Sequence, residues 1–170
     1  MLIATEEKKI SVRTSDGQEF ELEENLAMES AIIKTSLDAF SRDDIILLPN
    51  VNSWEMVKII EFFTKVQELE TKFGVKFMEK KEGRFLEAFQ AEFDKDLSDD
   101  NLRCLLWTVD YLGIEVLLEN LCHLMAERTK NKTVESCRNL FGVQHDYTPE
   151  EEAEIREDYS WAFEGPEIEE

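Results

Sequence analysis

Alternation of apolar and polar residues near the amino end predicts a β-hairpin. In KISVRTSDGQEFELEE, residues 9–24, the alternation stops at Asp16-Gly17 and then resumes. Asp-Gly between two alternating runs is a strong hairpin signal, because glycine accepts the positive φ that a tight turn requires. A short apolar run at 45–49, closed by Pro49, predicts a third strand. The hairpin residues expected to face inward are Ile10, Val12, Thr14, Phe20 and Leu22.

Apolar residues at spacings of three and four predict helices along most of the remaining chain. Residues 25–40 are interpreted as one helix, and a second begins in NSWEMVKIIEFFTKVQELE, capped by Asn52 or Ser53. Weak periodicity from about Glu68 to Arg84 indicates the least ordered insertion, followed by a short helix over 85–93. The inward residues of the two long helices are Leu26, Ile33, Leu37, Phe40, Met56, Ile59, Ile60, Phe63 and Val66.

Three further helices have recognisable signals at their ends or along their faces. Ser98 can cap a helix that Gly113 ends, and Thr133 can cap another that Gly142 ends. In the helix between Ser98 and Gly113, the side chains expected to face the core are Leu102, Leu105, Leu106 and Val109. The helix between these two helices carries two adjacent apolar stripes, so either it is central or one stripe awaits a partner. The stripes are Leu117, Leu121 and Leu124, and Leu118, Cys122 and Met125.

The acidic segment HDYTPEEEAEIREDYSWAFEG, residues 145–165, predicts a last helix. Thr148 is interpreted as the N-cap, Pro149 as the first helical residue and Glu151 as the reciprocal member of a capping box. The run of glutamates that follows lies where the helix dipole favours negative charge.

Aromatic residues near the end of this acidic segment form two groups. Ile155, Tyr159 and Phe163 fall on one helical stripe that can dock on the rest of the protein. Trp161 lies about 120° from that stripe on a continuous helix, so it points away from the docking surface. No cation is expected in the last turn, which predicts that residues after about Glu157 are mobile until a partner covers Trp161.

Composition narrows the class of protein. The 170 residues suit one compact domain or a domain with an extension. A formal charge of −20 opposes binding to nucleic acid or to anionic membrane surfaces. No run approaches the ~18 apolar residues of a membrane span, and we expect the protein in the cytoplasm and nucleus. The three cysteines form no CxxC pair, which favours reduced thiols packed in helices over disulfides or a zinc site.

One acidic cluster has part of the spacing of a calcium-binding loop. DKDLSDD, residues 94–100, places oxygen ligands at the first, third, fifth and seventh positions of an EF-hand. The sixth position, which must be glycine, is Asp99, and the twelfth, which must be glutamate, is Leu105. The pattern therefore favours a solvated helix start, and no metal is expected.

Thiol catalysis is the other chemistry that the sequence permits. It would require a cysteine beside His123 or His145, with a third group that orients the histidine. Cys122 and His123 are adjacent on a helix and point about 100° apart. A buried inert cysteine and a surface histidine are favoured, so we expect no catalytic residue and no cofactor.

Four segments resemble, in order, the Skp-type adaptors, which join F-box proteins to a cullin in SCF ubiquitin ligases. They are ISVRTSDGQEFELEENLAMESAIIKTSL, LLPNVNSWEMVKIIEF, VDYLGIEVLLENLCHLMAERTKNKTVESCRNLFGV and HDYTPEEEAEIREDYSWAFE. The likeness spans nearly the whole chain, and its most specific motifs are LPNV, DYLGI, NKT and DYTPEEE followed by Trp161.

The resemblance implies an α+β, mainly helical fold in two parts. A BTB/POZ-like body over 8–130, with a short three-strand sheet plus helices, would bind the cullin. A C-terminal two-helix extension over 131–165 would complete the F-box-binding surface. The function implied is that of a non-catalytic adaptor that promotes substrate ubiquitination and degradation, and the resemblance leaves a homodimer of the free protein open.

The resemblance also implies site residues. The F-box-binding residues would be Leu106, Leu118, Cys122, Met125, Phe141, Val143, Ile155 and Trp161. The cullin-binding residues would be Pro49, Asn50, Asp110 and Tyr111. Many members of this family carry Asn-Tyr where this chain has Asp110-Tyr111. A carboxylate buried there without a partner would cost several kcal/mol. This departure motivates an alternative function, an F-box-binding BTB-type scaffold that acts outside cullin ligases.

Overall fold

The computed structural model describes residues 9–39, 44–73, 93, 95–144 and 147–162. Within these ranges the chain forms three strands and seven α-helices. The strands are β1 (Lys9–Thr14), β2 (Glu19–Glu23) and β3 (Ile46–Leu48). The helices are α1 (Glu24–Glu29), α2 (Ala31–Ala39), α3 (Ser53–Phe73), α4 (Asp99–Leu112), α5 (Glu115–Thr129), α6 (Val134–Phe141) and α7 (Pro149–Asp158). The prediction of a mainly helical α+β fold is confirmed.

The three strands form one small sheet in the order β2-β1-β3. β1 and β2 pair antiparallel, with Val12 opposite Phe20, and Gly17 takes φ 82° in the turn between them. β3 pairs with β1 in parallel and is shorter than the predicted 45–49, because Pro49 falls in the turn that follows. The side chains buried from β1 and β2 are Ile10, Val12, Thr14 and Leu22.

The hairpin turn is fastened to the start of α3 by Asp16. Its carboxylate accepts hydrogen bonds from the Thr14 hydroxyl at 2.5 Å, the Ser53 hydroxyl at 2.5 Å and the Ser53 amide at 3.2 Å. The side-chain bonds from Ser53 and Thr14 lower the pKa of Asp16 to about 2, because they stabilise the charged carboxylate. Asp16 therefore joins the turn to the first residue of α3, and the predicted cap of α3 by Asn52 or Ser53 stays a prediction.

The structure divides the single helix predicted over 25–40 into α1 and α2. The break is at Ser30, which has an extended backbone (φ −92°, ψ 119°). Its buried hydroxyl donates to the Leu112 carbonyl oxygen at 2.8 Å and accepts from the Ile33 amide at 3.3 Å. The hydroxyl thus caps α2 and joins it to the end of α4, while Phe40 lies outside the described residues.

Helix α3 is longer than predicted. It continues to Phe73, so the insertion expected from Glu68 does not begin before residue 74. The rest of that insertion lies outside the described residues, as does the helix predicted over 85–93 except Phe93. Phe93 packs edge-on against Phe62, with ring centroids 6.0 Å apart. The residues buried from α3 include Met56, Ile59, Phe62 and Val66, of which Phe62 was not predicted.

The end signals predicted for α4 and α6 are confirmed. The Ser98 and Thr133 hydroxyls accept from the Asn101 and Ser136 amides, and Gly113 and Gly142 adopt φ 65° at the helix ends. A Cβ on Gly113 would lie 2.8 Å from the Cβ of Ala31, so glycine permits α4 to approach α2 closely. The core residues of α4 and α5 include Leu102, Leu105, Val109, Leu112, Leu117, Leu121 and Leu124. None of the described helices is long and apolar enough to cross a membrane.

Replacing Asp16 with asparagine is expected to destabilise the fold at neutral pH, because the charged acceptor for Ser53 and Thr14 is lost. With the pKa of Asp16 lowered to about 2 in the folded chain, its contribution is complete above its unfolded pKa of 3.8. It is lost as the pH falls towards 2. Urea unfolding should therefore show a difference in the free energy of unfolding at pH 7 that shrinks from pH 4 to pH 2. Asp38→Asn, at an exposed position on α2, controls for one lost charge; an equal effect of both variants would contradict the assignment.

Candidate partner-binding surfaces

The second half of the described chain exposes large apolar side chains at several positions. Trp107 on α4 is 76% exposed and Trp161, in the 3-10 turn Ser160–Ala162, is 72% exposed. Exposed apolar groups that adjoin one another mark interaction surfaces more often than isolated ones do. The other exposed large apolar side chains of this region are Val134, Phe141, Val143, Tyr147 and Tyr159.

The second of the two predicted stripes on α5, formed by Leu118, Cys122 and Met125, is buried to different degrees. Met125 is 6% exposed and belongs to the core, whereas Leu118 is half-buried against it. Cys122 is exposed, which corrects the expectation of a buried, inert thiol at this position. Of the three, Cys122 and part of Leu118 are therefore accessible to a partner that approaches the free chain. Half-buried Leu106 of α4 is also partly accessible.

Two of the predicted F-box-binding residues flank the end of α6. Phe141 is 50% exposed and Val143 is 58% exposed, on either side of Gly142. The end of α6 lies on α4, where Arg103 donates to the Leu140 carbonyl oxygen at 2.5 Å. The tie between α4 and α6 keeps Phe141 and Val143 at a defined place beside α4.

The start of α7 has the predicted capping box. The Glu151 carboxylate accepts from the Thr148 amide at 2.8 Å, and the Thr148 hydroxyl accepts from the Glu151 amide at 3.3 Å. Ile155 is half-buried, whereas Tyr159 is 54% exposed. The predicted docking stripe is thus only partly covered at Ile155 and is open at Tyr159, and its third member, Phe163, lies outside the described residues.

Trp161 is exposed, but the continuous helix assumed by the sequence reasoning is wrong. The α-helix ends at Asp158, and the chain changes direction at Tyr159 (φ −118°, ψ 36°) before the 3-10 turn. Because the helix ends early, its last turn does contain a cation, Arg156, which pairs with Glu152 at 2.9 Å. Trp161 is therefore exposed from a 3-10 turn and not from the face of a continuous helix.

The predicted cullin-binding residues lie in two places. Pro49 and Asn50 are exposed in the turn after β3, which the hairpin holds through the bond from the Ser15 amide to the Val51 carbonyl oxygen at 2.8 Å. Asp110 is exposed and Tyr111 half-buried in the last turn of α4. The described contacts fasten the first pair beside α3 and the second beside α2.

Two residues of α4 were missed by the sequence reasoning. Trp107 is one turn before Asp110-Tyr111 and one turn after Arg103, on the outward side of the helix. A tryptophan at a position that the inward stripe of α4 leaves out was the signal that could have identified it. Arg103 has no such signal, because its bonds reach residues 36 and 37 positions away.

The described side chains considered for metal or thiol chemistry either form ion pairs or do not come together in a cluster. Asp99 pairs with Arg128 at 2.6 Å, and Asp100 pairs with Arg103. Across the part of the chain that is described, no group of three metal-ligating side chains comes together. The cysteines all lie in helices as predicted, although Cys104 as well as Cys122 is exposed. His123 is exposed, and the calcium and thiol alternatives also involved Asp94 and His145, which lie outside the described residues.

Comparison with known proteins identifies the family. The Skp1 family tetramerisation domain matches residues 8–68, and the Skp1 family dimerisation domain matches residues 115–162. The chain belongs to the Skp1 family. The first match covers the sheet and most of α3, and the BTB/POZ-like character predicted for the body is confirmed.

Curated relatives share the family over nearly their full length. SKP1-like protein 4 of Arabidopsis thaliana is 37% identical, with 95% of this chain and 100% of the relative aligned. SKP1-like protein 1 of Oryza sativa subsp. japonica is also 37% identical, over 94% of this chain and 97% of the relative. SKP1-like protein 1A of Arabidopsis thaliana is 36% identical over 92% and 98%. Membership of the Skp1 family supports an SCF adaptor role in general, with F-box proteins and cullins as the kind of partner.

The capping box of α7 can be tested by Thr148→Ala. Loss of an N-cap hydroxyl typically costs about 1 kcal/mol. The amide of Glu151, which donates to that hydroxyl, should therefore exchange with solvent on the order of fivefold faster in hydrogen-exchange measurements. Thr64→Ala is the control, since Thr64 is exposed in the middle of α3. Unchanged exchange at Glu151 in the first variant would show that α7 does not depend on its cap.

Proposed function

We propose that this Skp1-family chain is a non-catalytic adaptor that binds an F-box substrate receptor and a cullin at the same time. The F-box covers the outer sides of α5 and α6 and the 3-10 turn, and the cullin binds the β3–α3 turn and the end of α4. The observation that carries the proposal is exposed apolar surface within the second family match, residues 115–162, above all Phe141, Val143 and Trp161.

The adaptor acts by position. Two partners held on one rigid body meet at a high effective concentration, which speeds a reaction between them without any chemistry from the body itself. The tie from Asp16 to α3 and the bond from Ser30 to the end of α4 both stiffen the body between the two proposed surfaces. The domain boundary at residue 130 and a location in the cytoplasm and nucleus are further parts of the proposal.

Charge sets the chemistry of the partner that these surfaces favour. The chain carries a formal charge of −20, and α7 contributes Glu150, Glu151, Glu152, Glu154, Glu157 and Asp158 against Arg156. An acidic field accelerates association with a partner that carries cations around an apolar centre, and salt weakens this effect. The F-box receptor proposed here is therefore one with basic residues at the rim of its contact surface.

Trp161→Ala is expected to weaken F-box binding by roughly 30-fold, since an interface tryptophan typically contributes about 2 kcal/mol or more. Calorimetry with a purified Arabidopsis thaliana F-box domain measures the change. Val57→Ala is the control, because Val57 is also exposed but lies on α3. Amides from Tyr159 to Trp161 should gain protection from hydrogen exchange in the complex. Equal protection in free and bound protein, or wild-type affinity of Trp161→Ala, would show that Trp161 is not part of the F-box-binding surface.

An F-box-binding scaffold outside cullin ligases is the second candidate function. It is favoured by Asp110, whose carboxylate stands at the proposed cullin surface and is exposed in the free chain. If a cullin covered it without supplying a cation or a donor, the buried charge would oppose binding.

Asp110→Asn separates the two functions. In the adaptor proposal, the carboxylate of Asp110 stays solvated at the rim of the cullin interface, where a charge contributes little to binding. The cullin affinity of this variant is therefore expected to stay within about threefold of wild type. Surface plasmon resonance against a cullin amino-terminal domain measures it. Glu115→Gln, an exposed acidic residue at the start of α5, controls for one lost charge. A gain of a hundredfold in Asp110→Asn alone would favour the scaffold instead.

A further inference from the structure

Arg103 fastens the carboxyl end of α6 to α4. Its Nη1 donates to the carbonyl oxygens of Leu140 at 2.5 Å and Asn139 at 3.1 Å. Its Nη2 pairs with the carboxylate of Asp100, one turn earlier on α4. Because a guanidinium presents its donors in a rigid planar fork, these bonds define where the end of α6 lies on α4.

The last carbonyls of α6 receive donors from two sources. Amides of the following turn donate to the carbonyl oxygens of Arg138 and Asn139. Arg103 supplies the donor for Leu140 and a second one for Asn139. A cation at this place also opposes the negative end of the helix dipole. The end of α6 is therefore completed by a side chain from another helix.

Gly142 leaves room for this arrangement. It has φ 65°, and a Cβ built on it would lie 3.2 Å from Nε and 3.3 Å from Cζ of Arg103. A side chain there would thus press on the guanidinium as well as strain the backbone. Phe141 and Val143, the two exposed apolar residues of this corner, are the immediate neighbours of Gly142.

We propose that Arg103 is a positioning residue for partner binding: it holds Phe141 and Val143 against α4 before the F-box arrives. The inference rests on the proposed function, in which these two residues contact the F-box. A surface that is already ordered loses less conformational freedom on binding. When only a fraction of the molecules has the ordered surface, the apparent affinity decreases in proportion to that fraction. The side chain of Arg103 is 24% exposed and makes its bonds within the chain, so its effect does not require contact with the partner.

Arg103→Met tests the proposal, because methionine keeps an unbranched side chain and removes the donors. Hydrogen bonds to a charged group are stronger than those between neutral groups, so their loss should release the end of α6 from α4. We therefore expect about tenfold weaker binding of a purified Arabidopsis thaliana F-box domain. In the free protein, the Val143 amide, which donates to the Arg138 carbonyl oxygen at 2.9 Å, should exchange about tenfold faster. Arg103→Lys, which offers donors without the planar fork, should fall between wild type and Arg103→Met.

Arg128→Met is the matched control. Arg128 also combines an ion pair, with Asp99 at 2.6 Å, and a bond to a carbonyl oxygen, that of Leu97 at 2.5 Å. Its side chain is 17% exposed, and these bonds reach the start of α4 instead of α6. This variant should lose stability in urea unfolding but keep F-box affinity within about twofold and leave exchange at Val143 unchanged.

The outcomes separate this inference from the proposed function. Wild-type F-box affinity in Arg103→Met overturns the positioning role, and so does an equal loss in both methionine variants, which would indicate general destabilisation. A wild-type chain that binds no F-box contradicts the proposed function, and exchange at Val143 then decides the role of Arg103. Faster exchange supports the positioning role, and unchanged exchange overturns it. If Arg103→Met does not fold, the lysine variant provides the same two measurements.

Discussion

The rest of the structure depends on how α4 is held. Its buried face, which includes Leu102 and Val109, lies in the core. Ser30 binds the carbonyl oxygen of Leu112 at its carboxyl end, and Arg128 binds Asp99 and the adjoining Leu97 carbonyl oxygen at its amino end. Arg103, from α4 itself, fastens α6. Because α4 is bonded to other segments at both ends and on its outer side, it fixes the positions of these segments relative to one another.

In the proposed function, this arrangement would let one chain present two surfaces to two partners. The sheet and α3 support the turn that contains Pro49 and Asn50, whereas α5, α6 and the 3-10 turn carry exposed side chains that include Cys122, Phe141 and Trp161. Large apolar groups left in water, such as Trp107 and Trp161, do not improve the stability of the free chain. In the proposed function, the free energy of transfer of Trp161 is released when the F-box covers it. An adaptor of this kind needs rigidity between its surfaces and no reactive group.

Short-range features of the fold could be predicted from the sequence, and long-range ones could not. The caps at Ser98, Thr133 and Thr148 and the turn at Asp16-Gly17 depend on residues within a few positions, so the local pattern was sufficient. The break at Ser30 depends on a carbonyl oxygen 82 positions away. The true end of the last helix at Asp158 was also missed, because a continuous periodicity was assumed where the chain changes direction.

The candidate site was predictable to a lesser degree. Periodicity identified the second stripe of α5, but it could not show that Met125 belongs to the core and Cys122 to the surface, because this depends on how neighbouring helices cross. The choice of individual candidate binding residues depends on the family resemblance and not on periodicity. Arg103 could not be predicted, because an arginine in a polar part of a helix is usually solvated and only the fold brings the end of α6 to it.

The most direct test of the account is whether this chain joins an F-box protein to a cullin in one complex. Tagged protein is purified from cells under conditions in which an established SCF adaptor retains both partners, separated by size, and analysed by mass spectrometry. The account predicts an F-box protein and a cullin in the same fraction as the chain. Recovery of F-box proteins without a cullin would contradict the adaptor role in favour of a scaffold, and recovery of neither would contradict both functions.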